Sequence, residues 1–224
     1  MTSPYRNRER QIAEVLVRYE LGHLVEAVGL ERFVRLEQRL MHRSPTHTRP
    51  ESLRIALEEL GPTFVKLGQA LSTRADLLPP DFQAELAKLQ DNTVRVAPDV
   101  IEETISGELG AATTEVFASF DPEPLAAASI GQVHAATLRD GTEVVVKVRR
   151  PGAAEEIELD LEILKNLAAR ASQRWAEAEQ FDVNGLVRDF AEMLRAELDY
   201  LQEAGNAQQF SANFAADPNV HIPA

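Results

Sequence analysis

The chain contains no cysteine, which excludes disulfides and thiolate metal sites. No apolar run approaches the roughly 18 residues that a membrane-spanning helix needs, and Met1 to Gln11 is too polar and arginine-rich for a secretory signal. These absences read as a chain that is cytoplasmic or peripheral to a membrane, with any anchor outside it. Lysine is scarce as well. Only Lys66, Lys88, Lys147 and Lys165 stand against nineteen Arg, so each is a candidate for work that arginine cannot do.

What is present suffices for one or two hydrophobic cores, with 224 residues of which 44% are apolar. The net charge of -13 argues against nucleic acid as the principal partner. That charge is uneven. Residues 1–50 hold nine Arg against six Glu, so any attraction to an anionic surface belongs to the N-terminus.

Punctuation by proline and glycine predicts the helices. Arg8 to Leu40 reads as two helices broken near Gly22 or Gly29, and His42 to Pro50 as a linker. A helix from Glu51 ends at Gly61, and Pro62 suits the first position of the next. There Phe64, Leu67 and Leu71 form an apolar stripe, while Lys66, Gln69 and Thr73 share the opposite face. Asp81 to Gln90 and Pro98 to Glu108 follow as helices. The expected segments are 1–50, 51–112 and 113–224.

The best strand signal is a hairpin, Gly131 to Leu138 and Thr142 to Val148, around the tight-turn dipeptide Asp140-Gly141. Thr114 to Phe120, ending at Asp121-Pro122, is expected to supply a strand before it. Helix returns after Pro151-Gly152 with an apolar face from Ile157 to Trp175, and one long last helix is expected from Asp182 through Leu201.

PLAAASIGQV, residues 124–133, has the frame of a kinase glycine-rich loop, G-x-G-x-x-G-x-V. Setting its valine on Val133 puts Gly131 on the third glycine, Ala126 and Ala128 on the first two, and Lys147 on the phosphate-binding lysine of the third strand. Alanine restricts both close backbone approach and positive φ, so such a loop narrows the range of nucleotide poses. A kinase lysine is oriented by a glutamate on a neighbouring helix. Glu203 is the candidate, and Lys147 and Glu203 are predicted to approach within about 4 Å. Asp199, Glu203 and Asn206 are expected on one polar face of the last helix.

These residues resemble the UbiB-type (AarF/UbiB) atypical protein-kinase-like family, whose members support quinone biosynthesis and lipid metabolism. The K-x-G-Q motif is Lys66-Leu67-Gly68-Gln69, the alanine-rich loop Ala126-Ala127-Ala128-Ser129, the nucleotide lysine Lys147, and the E-x-D motif Glu197-Leu198-Asp199 with Glu203 after it. The resemblance runs from about Glu51 to the C-terminus. It implies an α+β, predominantly helical fold, with a helical extension ahead of a partial protein-kinase-like N-lobe carrying a small antiparallel sheet. It also implies binding of ATP or ADP with Mg²⁺ in the full-length protein, with Ser129 and Gly131 at the phosphates. The K-x-G-Q helix would form a lid, Lys66 and Gln69 facing the loop and Lys66 reaching Glu197 or Asp199. No phosphoryl transfer is expected of the chain itself, and no catalytic residue or metal ligand is assigned in it. No histidine begins an H-x-D triplet, and Asp81-Phe82-Gln83 and Asp189-Phe190-Ala191, the nearest approaches to D-F-G, are misplaced for the metal loop.

Plainer readings stand beside this one. Lys66 could mark a solvated helix face with Gly68 as a packing residue, the alanines a close-packed corner, and Lys147 a charge that blunts an edge strand. A scaffold module would keep Lys147 and the acids as a structural ion pair. A peripheral membrane module would use Arg32, Arg35 and Arg39 beside Phe33, Leu36 and Leu40 on anionic lipid. Candidate partners are therefore a nucleotide, a membrane surface and proteins of a quinone or lipid pathway.

Overall fold

The structure is a computed structural model that describes residues 3–34, 47–90, 95–174, 181–220 and 222. Helices α1 (Pro4–Arg18) and α2 (Gly22–Ala27) are followed by a 3₁₀ turn, Glu31–Phe33, and then by α3 (Arg49–Leu60), α4 (Pro62–Ser72), α5 (Pro80–Leu86), α6 (Pro98–Leu109) and the single turn α7 (Thr113–Val116). Strands β1 (Phe117–Ala127), β2 (Gly131–Leu138) and β3 (Glu143–Arg149) form an antiparallel sheet in that order. Among the described residues, the helices α8 (Ala153–Arg174), α9 (Val183–Leu198) and α10 (Tyr200–Phe214) follow the sheet. The architecture is α+β and predominantly helical, as the sequence implies.

Local chemistry explains the boundaries. Thr48 and Glu51 form a reciprocal capping box at α3, and proline opens α1, α4, α5 and α6, where its missing N–H has no helical partner to lose. Gly61 separates α3 from α4 at φ 98°, a conformation open to glycine. Gly141 does the same for the β2–β3 turn at φ 89°, and Asp140 Oδ1 accepts from Thr142 N at 2.9 Å.

Two hydrophobic clusters hold these elements. The larger joins Ile12 and Leu16 of α1 to Leu57 of α3, Phe64 of α4, Leu161 and Leu164 of α8, and Leu194 of α9. The smaller packs Ile101 and Ile105 of α6 on Phe117, Ala136 and Val148 of the sheet. Ile130, in the turn between β1 and β2, belongs to the larger cluster and pins that end of the sheet to the helical body.

Four expectations need correction. The first strand does not stop at Asp121-Pro122 but continues to Ala127. On a sheet edge the missing proline N–H costs no ladder bond, and the register shifts between Phe120 and Pro124 absorb the irregularity. The expected last helix is two helices. Asp199 ends α9 with φ -93° and ψ 88°, and its Oδ1 accepts from Leu201 N and Gln202 N to cap α10. Asp199 therefore does not share a polar helix face with Glu203 and Asn206. The helix expected at Asp81 to Gln90 spans only Pro80–Leu86. Arg32 and Phe33 stand in a 3₁₀ turn rather than a lipid-facing helix, and Arg32 donates to buried Glu9 at 3.0 Å. Arg35, Leu36, Arg39, Leu40 and Trp175 lie outside the described residues.

Candidate functional site

Strand register builds the centre of the site. Ala126 pairs with Val133, and Val133 with Lys147, so these three side chains form one row across the sheet. Val145 lies on the same face by strand alternation and stays 67% exposed, leaving an apolar surface beside the lysine. The intervening helices α8 and α9 then return the chain so that α10 begins next to β3. Lys147 Nζ donates to Glu203 Oε2 at 2.6 Å across 56 residues of sequence. The predicted approach is met. Helices α8 and α9 both lie within that separation.

The alanine-rich segment is only partly a loop. Ala126 and Ala127 complete β1, and Ala128, Ser129 and Ile130 make a tight turn closed by Ala128 N donating to the Gly131 carbonyl at 2.7 Å. No residue from Ala126 to Gly131 has positive φ, so the backbone here is open to alanine without strain. Gly131 is demanded by space instead. A methyl group there would lie 2.6 Å from the Tyr200 hydroxyl and 2.6 Å from the Val148 carbonyl oxygen.

The K-x-G-Q residues divide. Lys66 Nζ donates to Glu197 Oε1 at 2.7 Å, joining α4 to the last turn of α9. Gln69 donates to the Leu89 carbonyl at 3.2 Å. Gly68 is a packing residue, since a methyl group on it would meet Leu89 and Leu57 side chains at 2.3 and 2.8 Å. Leu67 and Leu71 pack on the larger cluster, which includes Leu194 and Leu198 of α9. Of the acidic motif, Glu197 holds Lys66 and Asp199 caps α10.

Two side chains escaped the sequence reading. Tyr200 places its ring 4.4 Å from Lys147 Nζ, and burial, followed by the charge of Glu203, raises its hydroxyl above the ordinary phenol range. Arg149 lies opposite Gly131 in the ladder and donates to the Leu198 carbonyl at 3.4 Å, tying β3 to the α9–α10 corner. The D-x-x-Q run Asp199 to Gln202 was the available signal for that corner, being a helix-start pattern. Alternation along β3 could have flagged Arg149.

A cleft of about 850 Å³ runs beside Lys147 between α6, β3 and the start of α8, with Arg149, Arg195, Asp199 and Tyr200 in its wall; no residue of 126–133 lines it. Ser129 Oγ, in a residue 6% exposed, has no hydrogen-bond partner. The strand ammonium, on a side chain 40% exposed, fits an oxyanion such as a phosphate. Among the described residues, no group of three or more histidine, aspartate or glutamate side chains could hold a metal ion. No helix among them is long and apolar enough to cross a membrane.

A strand lysine oriented by a helical glutamate, beside a strand–turn–strand, defines the class as protein-kinase-like. The chain belongs to the ABC1 atypical kinase-like family, whose model matches residues 88–224. Among curated relatives, a probable protein kinase UbiB of Marinobacter nauticus is 41% identical over 217 residues, 95% of this chain and 40% of that protein. Another, from Pseudomonas paraeruginosa, is 43% identical over 220 residues, 95% of this chain and 41% of that one. The solved complex of Rv3197 with erythromycin from Mycobacterium tuberculosis is 34% identical, with a TM-score of 0.49, and covers 72% of this chain and 41% of that one. This chain thus spans about two fifths of the length of the curated relatives it matches. The 95% coverage also extends the similarity into the first fifty residues, which the motifs alone leave outside it.

Proposed function

We propose that this chain supplies the upper wall of a nucleotide site in a UbiB-type atypical kinase or ATPase. The observation that carries the reading is the Lys147–Glu203 pair at 2.6 Å, on the open face of the sheet beside the alanine-rich turn. Lys147 would meet the phosphates of ATP or ADP, with Ser129 Oγ and the Gly131 backbone beside it, and Val133 and Val145 would face the base. Lys66, held by Glu197, would keep the K-x-G-Q helix against the corner that carries Glu203. Bound nucleotide supplies the transferable phosphoryl group, and Mg²⁺ would accompany its phosphates. The biological setting, by family resemblance, is quinone biosynthesis or lipid metabolism, with a membrane surface as a candidate neighbour.

The test is equilibrium binding of a fluorescent ADP analogue to residues 1–224, beside Lys147→Ala. Weak binding that Lys147→Ala abolishes is expected, as is the absence of Lys147-dependent ATP turnover with Mg²⁺. Binding indifferent to Lys147 would defeat the nucleotide assignment and favour a scaffold role for the ion pair.

A further inference from the structure

Tyr200 opens α10 and belongs to none of the motifs read from the sequence. Its ring lies 4.4 Å from the Lys147 ammonium, while Glu203 Oε2 accepts from the same ammonium at 2.6 Å. Its hydroxyl is buried with no hydrogen-bond partner, wedged where a side chain on Gly131 would otherwise stand. A buried phenol is usually placed by the bond its hydroxyl makes. This one makes none, so packing against the turn and the Asp199 cap hold the ring.

We propose that Tyr200 is a positioning residue for Lys147, its aromatic face and the Glu203 carboxylate together directing the ammonium toward the alanine-rich turn. The proposal deepens the reading of Lys147 as the nucleotide lysine and rests on it for its function. A carboxylate alone fixes distance better than direction, because Glu203 is 59% exposed and the lysine stem is flexible. The electron-rich face of the ring attracts the ammonium from a second side. The bare Gly131 then has a further use: any Cβ there would push on the hydroxyl and displace the ring beneath the lysine. Turn, ring, ammonium and carboxylate act as one unit.

The chain's four lysines give an internal standard for the test. Acylation of each by an N-hydroxysuccinimide ester is followed by peptide mass spectrometry in the 224-residue chain, in Tyr200→Phe and in Tyr200→Leu. Tyr200→Phe keeps the aromatic face and drops a hydroxyl that bonds nothing, so Lys147 should label as in the parent. Tyr200→Leu fills the space without the aromatic face, and Lys147 labelling relative to Lys88 and Lys165 should rise about two- to fivefold, with Lys66 unchanged. Unchanged Lys147 labelling in Tyr200→Leu would overturn the proposal. So would equal effects of Phe and Leu, or a rise shared by all four lysines. ADP binding by the same three proteins separates the two ideas: a parent that binds no ADP but shows the selective labelling loses the nucleotide reading and keeps the ring's role.

Discussion

With Lys147 40% and Glu203 59% exposed, their ion pair contributes about 1 kcal/mol or less to folding. Stability is a poor reason for carrying it, and orientation of the ammonium is a better one. Lys147→Ala and Glu203→Gln should therefore melt within about 4 °C of the parent by circular dichroism; a much larger drop would make the pair structural. Gly131 is the opposite case. Gly131→Ala drives a methyl group against the Val148 carbonyl, which is backbone and cannot rotate away. An overpacking cost of about 1–3 kcal/mol is expected, read as a lower urea midpoint. A midpoint equal to the parent's would mean that the turn has room to move.

Among the elements, α10 depends most on a single side chain. It buries no residue, and Asp199 caps its first turn through Leu201 N and Gln202 N. Asp199→Ala should cost about 1 kcal/mol and remove hydrogen-exchange protection near those two amides while leaving α9 protected. Unchanged protection would assign the helix start to packing. This corner also shows what the sequence made legible. The hairpin, the proline-opened helices and the Lys147–Glu203 pair follow from patterns carried by neighbouring residues or from motif order, which left the partner of Lys66 open between Glu197 and Asp199. Continuous apolar spacing from Leu186 through Leu201 hid the break at Asp199, because periodicity records which face is apolar and is blind to a change of axis. The tight fit of Gly131 against Tyr200 could not be read at all. It depends on two residues 69 positions apart meeting in space, and neither changes its local pattern to announce it.

For the molecule as a whole, the most deeply buried ion-paired carboxylates among the described residues join distant parts of the chain. Asp160 of α8, 1% exposed, accepts from Arg8 of α1, which also donates to the Leu60 carbonyl at 2.6 Å. Glu9, also 1% exposed, accepts from Arg32 and Arg170. Arg8→Ala leaves Asp160 as an uncompensated buried charge and should cost about 3–5 kcal/mol, measured by urea unfolding; a loss under 1 kcal/mol would show that water replaces the guanidinium. Alkali should act through the tyrosines. Tyr5 and Tyr200 are raised chiefly by burial and Tyr19 by donation to Glu59, so the folded state keeps its protons longer than the unfolded one. Their contribution is whole below about pH 10 and is lost as pH rises through the raised values, which urea midpoints at pH 9 and 11 would register as a fall. The division of the interior into a large helical cluster and a small one beneath the sheet bears on cooperativity. Heating should open the sheet before the helical body melts, giving a calorimetric enthalpy larger than the van't Hoff value. With Ile130 fastened to the larger cluster, that opening is a hinge rather than a detachment: the Asp140-Gly141 tip swings, and the alanine-rich end stays where the lysine can find it.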